Sequence, residues 1–325
     1  MTSSGASGAG AGAAGGARAS ACAFAPASVG NVAIGFDILG FSVDAIGDRA
    51  TVRRVAQPGV RVSAIRGVVP DLPREAAQNT AGRALMAMQE ALSLSFGFDL
   101  ELDKGIPLSS GLGGSAASAV AAVVAANALL PAPRPPLELL RFAMHGEAVA
   151  SGSMHVDNIA PSLYGGLVLT VGIDHPRVKQ IPVPPAIRAV IVHPHMLLST
   201  REARAILSKS VKMADFVWQT ANLAGFISGC YTDDLDMVRE SFQDVVIEPQ
   251  RAALIPGFAQ VRESALSAGA LGCSISGAGP TVFAWCLEVQ AQAVCEAMVR
   301  EFQRHDLKAD HWITEIAPKG ARVIG

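Results

Sequence analysis

The stretch PLSSGLGGSAAS, residues 107–118, places three glycines and four serines directly before an alanine-rich segment. Glycine lets main-chain N–H groups approach a phosphate without interference from Cβ atoms, and the N-terminus of a helix adds N–H groups with a partial positive charge. The lysine of the pattern G-x-x-x-x-G-K-[ST] is missing, since no Gly-Lys pair occurs in the chain, and G-x-G-x-x-G also fails to match. On spacing alone, a turn that merely caps a core helix is an equally good interpretation.

The elements on both sides of this loop indicate a chain of the α+β class. The segment FDLELDKGIPL reads as a strand that leads into the loop, and residues 116–130 read as a helix that the proline cluster at 131–136 ends. Apolar residues at helical spacing after Asn79 and Thr80 predict another helix upstream, because both residue types cap helix N-termini well. The loop is therefore expected at a strand-to-helix junction.

Further strands are expected at the start of the chain, and the C-terminal half reads as a second α+β module. Residues 21–55 contain β-type runs around a glycine-containing loop, and GVRVSAI alternates as a strand. A helix from Leu137 to about Ser151 and the strand LVLTVGI complete the first half. The second half contains IRAVIVHP, three helical patterns, CSISGAGPTVFAW, a helix near 289–304 and ADHWITEI.

Composition divides the 325 residues into three parts. Residues 1–21 are almost entirely Gly, Ala and Ser, and such side chains bury too little area to offset the entropy of ordering, so a disordered tail is predicted. Residues 22–172 are expected to form an N-terminal domain that binds ATP, and residues 173–325 a C-terminal domain. The proline-rich link HPRVKQIPVPP marks the expected boundary.

Charge and hydropathy exclude several classes of partner. The net charge of -2 comes from 26 basic and 28 acidic residues without a run of like charge, so no nucleic-acid surface is expected. The longest apolar run, AASAVAAVVAANALL, spans fifteen residues and is too short to cross a bilayer, so no membrane partner is expected. Five scattered cysteines without a C-x-x-C pair are typical of reduced thiols in a cytoplasmic protein.

Three motifs, in order, resemble those of the GHMP kinases, the superfamily of galactokinase, homoserine kinase, mevalonate kinase and phosphomevalonate kinase. They are APASVGNVAIGFDILG, PLSSGLGGSAASAVAA and CSISGAGPTVFAW, and the similarity runs from about Ala23 to the C-terminus. The resemblance implies the α+β two-domain fold of that superfamily. Its N-terminal domain is like domain 2 of ribosomal protein S5, its C-terminal domain is ferredoxin-like, and the active site lies between them.

The same resemblance implies ATP and Mg²⁺ as cofactors. Main-chain dipoles and a metal ion then carry the phosphate charge, which makes the missing lysine unnecessary. Asn79 is expected near the adenine, although a helix cap explains it equally well. The remaining residues expected to bind ATP are Pro107, Leu108, Ser109, Ser110, Gly111, Leu112, Gly113, Gly114, Ser115 and Ala116.

Four stretches resemble the homoserine kinases in particular: GNVAIGFDILG, HGEAVASGSMHVDNIAPSLYGG, LLSTREARAIL and DVVIEPQRAALIPGF. The resemblance implies phosphorylation of the L-homoserine hydroxyl, to O-phospho-L-homoserine, in threonine biosynthesis. Arg204 and Arg251 match the arginines that hold the substrate carboxylate, and a planar guanidinium suits that task. The contacts to the amino group and the hydroxyl match Asn31, Asp37, His155 and Asn158.

The catalytic group implied by the resemblance consists of Ser115, Glu147, Asn158 and Thr200. Ser115 and Glu147 match the magnesium ligands, and Mg²⁺ prefers such hard oxygen donors. Thr200 matches a threonine near the transferred phosphate. Asn158 cannot accept a proton at neutral pH, so its expected role is to orient the attacking hydroxyl.

Other interpretations stay open at the level of sequence. Without the resemblance, the arginines read as exposed helix residues, Asn31 and Asp37 as turn residues, and His155 as a core histidine. Another small-molecule GHMP kinase, acting on mevalonate or a sugar, and a non-catalytic metabolite-binding homologue are the rival functions. Gly114 stands where many relatives carry serine, which weakens the motif slightly. A homodimer is implied by the resemblance alone.

Overall fold

The computed structural model describes residues 18–151, 156–316 and 319–325. The strands within these ranges are β1 (Ser20–Gly30), β2 (Leu39–Val55), β3 (Val60–Gly67), β4 (Gly97–Lys104), β5 (Leu167–Val171), β6 (Arg177–Ile181), β7 (Ile187–Pro194), β8 (Gly272–Ile275), β9 (Val282–Leu287), β10 (Ala309–Glu315) and β11 (Arg322–Val323). The helices are α1 (Thr80–Ala91), α2 (Gly114–Asn127), α3 (Pro136–Ser151), α4 (Val156–Tyr164), α5 (Thr200–Ala205), α6 (Met213–Thr232), α7 (Leu235–Ser241), α8 (Glu248–Arg251), α9 (Phe258–Ser267) and α10 (Ala291–Arg304).

The first sheet is built around the 17-residue strand β2. Its strands run in the order β11-β1-β2-β4-β3, and β5 pairs with the other end of β2 and carries β6. All pairs are antiparallel except β3 with β4. Helix α2 packs against β1 and β2, and its alanines are almost all buried, because the small side chain permits a close approach of helix to sheet.

The second sheet is antiparallel, in the order β10-β7-β9-β8, with α9 and α10 packed on it. An aromatic cluster joins it to the first sheet. The ring of Phe41 on β2 lies 5.5 Å from that of Phe283 and 5.7 Å from that of Trp285, both on β9, in edge-to-face geometry. All three side chains are fully buried, so the two halves share a rigid apolar contact.

Most predicted elements are present, but the proline-rich link contains a strand that the hydropathy pattern of the sequence did not indicate. Arg177–Ile181 forms β6 and pairs with β5 from Leu167↔Ile181 to Val171↔Arg177. Its basic side chains are exposed, as is typical of an edge strand, and such a strand lacks the apolar alternation by which sequence identifies strands. At the two chain ends, β1 begins at Ser20, and β11 returns to pair with β1.

Four of the five cysteines are buried. All five cysteines are free, and burial raises the pKa of Cys230, Cys286 and Cys295, so these thiols are poor nucleophiles. Among the described residues, none of the helices combines the length and the hydropathy that a bilayer span requires.

Candidate active site

A cavity of about 620 Å³ lies where the loops of both halves meet. It brings together most of the residues that the sequence singled out. Leu112 and Ala116 do not line it, because both side chains are fully buried in the core. His155 lies outside the described residues. The predicted residues that line the cavity are Asn31, Asp37, Asn79, Pro107, Leu108, Ser109, Ser110, Gly111, Gly113, Gly114, Ser115, Glu147, Asn158, Thr200, Arg204 and Arg251.

The glycine-rich loop has a backbone that only small residues adopt easily. Gly111 and Gly113 have φ angles of 78° and 66°, and α2 begins directly after the left-handed Gly113. A Cβ atom on Gly111 would lie 2.5 Å from the carbonyl oxygen of Ser276. The Ser276 hydroxyl donates to the carbonyl oxygen of Gly111 at 2.7 Å, and the Thr281 N–H donates to that of Ser110 at 3.2 Å. The third motif therefore holds the phosphate-type loop in place.

A lysine does lie beside this loop, but it precedes the loop in the chain instead of following its last glycine. Lys104, at the end of β4, is buried and donates to the carbonyl oxygen of Gly114 at 2.8 Å and to the Ser118 hydroxyl at 2.7 Å. It also forms a buried ion pair with Asp48. Asp48 accepts main-chain N–H bonds from Gly105 and Ile106 as well. Since the pair is fully hydrogen-bonded, it anchors the first turn of α2 to the sheet.

The expected metal ligands are neighbours. The Ser115 hydroxyl on α2 donates to Oε2 of Glu147 on α3 at 2.6 Å, and Glu147 is only 8% exposed. A close approach of α3 to α1 brings Glu147 there, because a Cβ on the adjacent Gly146 would overlap the carbonyl group of Thr80. A hydroxyl and a carboxylate at the N-terminus of a helix, beside a phosphate-type loop, fit a magnesium ion that completes its shell with waters and phosphate oxygens.

The opposite side of the cavity carries a compact set of charges. Arg204 of α5 binds Asp37 in a bidentate ion pair, with distances of 3.1 Å from Nη1 to Oδ2 and 2.7 Å from Nη2 to Oδ1. The two side chains are 37% and 33% exposed. Asp37 comes from the loop between β1 and β2, so this pair bridges the two halves of the chain.

Arg251 is deeply buried next to this pair. It donates from Nε to the carbonyl oxygen of Ala203 at 3.0 Å and from Nη1 to that of Gly277 at 2.9 Å. Burial lowers the pKa of Arg251, the nearby Arg204 guanidinium lowers it further, and Asp37 opposes both. Two guanidiniums in one cavity repel each other, so the site favours an additional anion. The Phe36 ring lies 5.1 Å from the Arg204 guanidinium and 5.3 Å from that of Arg251.

Asn158 lies between this charged region and the glycine-rich loop. Its Oδ1 accepts from the Ser28 hydroxyl at 3.0 Å, and its Nδ2 donates to Oδ2 of Asp157 at 3.4 Å. Gly30 permits this packing, because a Cβ there would overlap Oδ2 of Asp157. The amide of Asn158 is therefore oriented from both ends, and its partner Ser28 carried no signal in the sequence.

Asn79 and Thr200 occupy the starts of two helices. The Asn79 side chain accepts from the N–H groups of Ala81 and Gly82, both at 3.1 Å, and donates to the carbonyl oxygen of Pro73 at 2.8 Å. The oxygen of its amide thus caps α1, as the alternative interpretation expected, while the nitrogen binds the segment upstream of the helix. Thr200 is the first residue of α5 and lines the cavity.

Two family models match the chain: GHMP kinases N terminal domain over residues 79–166, and GHMP kinases C terminal over residues 226–304. A homoserine kinase from Xanthomonas campestris pv. campestris is 52% identical over 303 residues, which is 93% of each chain. One from Chlorobium phaeovibrioides is 43% identical over 93% of this chain and 98% of its own. The chain belongs to the homoserine kinases of the GHMP kinase family.

The crystal structure of homoserine kinase from Cytophaga hutchinsonii matches with a TM-score of 0.91 and 43% identity, over 94% of this chain and 98% of that chain. The expected α+β GHMP kinase fold is confirmed, and the chain is a kinase. Within such an enzyme, the cavity contains a loop of the type that binds phosphate at one end and a cluster of arginines and an aspartate at the other.

Proposed function

We propose that the chain transfers the γ-phosphoryl group of ATP to the hydroxyl of L-homoserine, forming O-phospho-L-homoserine and ADP, as a step of threonine biosynthesis. The observation that carries this proposal is the Asp37–Arg204 ion pair beside the buried Arg251. An amino-acid acceptor presents an ammonium to Asp37 and a carboxylate to the two guanidiniums. It can therefore replace the internal ion pair without leaving a charge uncompensated.

This charge pattern disfavours the rival substrates. Mevalonate and simple sugars carry no ammonium group. If one of them separated Asp37 from Arg204, the Asp37 carboxylate would lose the guanidinium and gain no cation in its place. A non-catalytic homologue is disfavoured because Ser115 and Glu147 are both retained and in contact. The names of the relatives at 43% to 52% identity support the same choice.

In the proposed complex the triphosphate lies against the main chain of residues 107–115 and the N-terminus of α2. Val69, Leu72 and Pro73 line the cavity near Asn79 and form a suitable apolar wall for the adenine. Ser115 and Glu147 would hold Mg²⁺. When bound, this ion would neutralise charge on the β- and γ-phosphates.

The reaction forms a bond from the homoserine hydroxyl oxygen to the γ-phosphorus and breaks the bond from that phosphorus to the β–γ bridging oxygen of ATP. Phosphoryl transfer passes through a loose transition state, so alignment matters more than a strong base. Asn158, held by Ser28, orients the attacking hydroxyl, and its proton leaves to a phosphate oxygen or to water. Thr200 lies at the cavity wall, where its hydroxyl can donate to the transferred group.

A substrate panel tests the proposal directly. Purified chain with Mg·ATP is incubated with homoserine, mevalonate or galactose, ADP release is followed by a coupled assay, and the product is identified by ³¹P NMR. We expect turnover with homoserine at a kcat/KM far above that of the other two. Preference for mevalonate or galactose would replace the proposal by the corresponding kinase, and binding without turnover would favour a metabolite-binding homologue.

Two parts of the proposal concern the whole molecule. A homodimer is inferred from the family resemblance, and a cytoplasmic location from the five scattered cysteines without a C-x-x-C pair. Light scattering on the purified chain tests the first, and fractionation of cells tests the second.

A further inference from the structure

The acceptor side of the cavity is assembled from two segments that are distant in sequence. The loop between β1 and β2 supplies Asn31 and Asp37. The 244–251 turn, which ends in the short helix α8, supplies Arg251 as its last residue. Both segments must be held at a fixed separation if one small molecule is to contact all three side chains. The helix α6 lies next to both segments.

Gln219 on α6 contacts both segments at once. Its Nε2 donates to the carbonyl oxygen of Ile34 at 3.0 Å, and its Oε1 accepts from the N–H of Val245 at 2.9 Å. Ile34 lies in the middle of the first loop. Val245 follows Asp244, whose carboxylate accepts the N–H groups of 246–248 at 2.8 to 2.9 Å and so shapes the start of α8.

The first loop needs such an external contact because its backbone is strained. Asn31, Val32, Ala33 and Asp37 have φ angles of 70°, 45°, 57° and 63°. A left-handed backbone is unfavourable for residues with a Cβ, and most of all for a β-branched one such as Val32. Conformations of this kind persist only where the surroundings determine them.

Two other hydrogen-bonded contacts from residues 31–37 to the C-terminal half involve side chains that the substrate is proposed to engage. Arg204 binds Asp37, and Asn31 donates to the same Gly277 carbonyl oxygen as Arg251. An incoming amino acid competes for those side chains. Gln219 instead contacts two main-chain groups, Ile34 and Val245, for which the substrate does not compete.

From this arrangement we propose that Gln219 is a positioning residue. It keeps the 31–37 loop and the 244–251 turn at a fixed separation while the Asp37–Arg204 ion pair opens to admit the acceptor. Gln219 is not among the described residues that line the cavity. The kinetic part of this inference rests on the proposed homoserine kinase activity, whereas its structural part does not.

The test compares Gln219→Met, which keeps the length of the side chain and removes both hydrogen bonds, with the matched control Asn222→Leu. Asn222 is on the same helix and donates to the carbonyl oxygen of Gln243 at 2.7 Å, next to the same turn. Within the part of the chain that the structure describes, it forms no hydrogen bond with the 31–37 loop. For Gln219→Met we expect KM for homoserine to rise about tenfold, with KM for ATP and kcat changed less than about twofold. Asn222→Leu should leave all three values near those of the parent chain.

A second measurement separates this inference from the proposed function. Hydrogen exchange of the amides in residues 31–37 should accelerate in Gln219→Met and not in Asn222→Leu, whether or not homoserine is the substrate. Gln219→Glu, which keeps an acceptor for Val245 and loses the donor to Ile34, should show the same exchange effect. Unchanged exchange in both Gln219 variants, or equal rises in KM for homoserine and ATP, would overturn the inference. Absence of homoserine turnover in the parent chain would refute the proposed function alone.

Discussion

Replacing Arg204 by glutamine separates the two roles that the Asp37–Arg204 pair could have. If the pair is chiefly structural, its loss lowers the free energy of unfolding. If the guanidinium is instead kept for the carboxylate of the acceptor, its loss chiefly weakens acceptor binding. Glutamine is neutral and shorter than arginine, so the change removes both the positive charge and the two-point contact of the guanidinium.

The structure predicts very different magnitudes for the two effects. Both side chains are about one-third exposed, at 37% and 33%, so solvent screens the pair and its contribution to stability is about 1 kcal/mol or less. A charged contact to a bound carboxylate that is shielded from water is worth about 2 to 4 kcal/mol, or roughly 30- to 1,000-fold in KM. KM for homoserine should therefore rise strongly while the melting temperature hardly changes.

Steady-state kinetics and thermal melts measure both quantities on the same protein. KM for ATP should change little, because the glycine-rich loop is at the other end of the cavity. Arg239→Gln is the control, since it removes an exposed ion pair to Asp236, at 2.9 Å, on the separate helix α7. An Arg204→Gln enzyme that melts several degrees lower and keeps the parental KM for homoserine would refute the reasoning.

Four further changes are predicted. Gly111→Ala should reduce kcat/KM for ATP at least tenfold in the coupled assay, because the φ angle of 78° and the 2.5 Å approach to Ser276 leave no room for a Cβ. Glu147→Gln should raise the Mg²⁺ concentration for half-maximal activity by about tenfold in a magnesium titration. Asn158→Ala should lower kcat by about a hundredfold at saturating substrate, with full kcat contradicting its orienting role. Burial raises the pKa of Glu248 from 4.5 to about 7, so the folded chain binds this proton more tightly than the unfolded chain. Its contribution to the free energy of unfolding should therefore be lost as pH rises through this interval, and thermal melts of Glu248→Gln should depend less on pH there.

The sequence predicted the elements that are defined by strong local signals. The alanine-rich helix after the glycine-rich loop and the Asn79 cap both follow from patterns within a few residues. The edge strand β6 was missed, because its partner rather than its composition makes it a strand. Periodicity records which face of an element is apolar, and it does not record which segment lies alongside.

The same distinction, between local sequence patterns and contacts made by distant segments, applies to the candidate site. The resemblance indicated the candidate residues, and sixteen of them, three of which are glycines, line one cavity. The mutual contacts were not predictable, since Lys104 pairs with Asp48 and Gln219 reaches Ile34 across long sequence separations. The binding of Arg204 to Asp37 is of this kind also, because the motifs predicted the two residues as partners of the substrate and not of each other.

One end of the cavity is formed mainly by main-chain atoms and the other by side chains. This difference determines at which positions the substrate specificity can change. The phosphate end consists mainly of main chain, packed so closely around Gly111 that a Cβ does not fit. The acceptor end consists of side chains from α5, α8 and the 31–37 loop, which can be replaced without moving the backbone. Arg204 and Asp37 are partly exposed and cost little stability to change, whereas Arg251 satisfies two buried carbonyl groups. A different acceptor charge should therefore be accommodated first at positions 37 and 204, with the glycine-rich loop and Arg251 left intact.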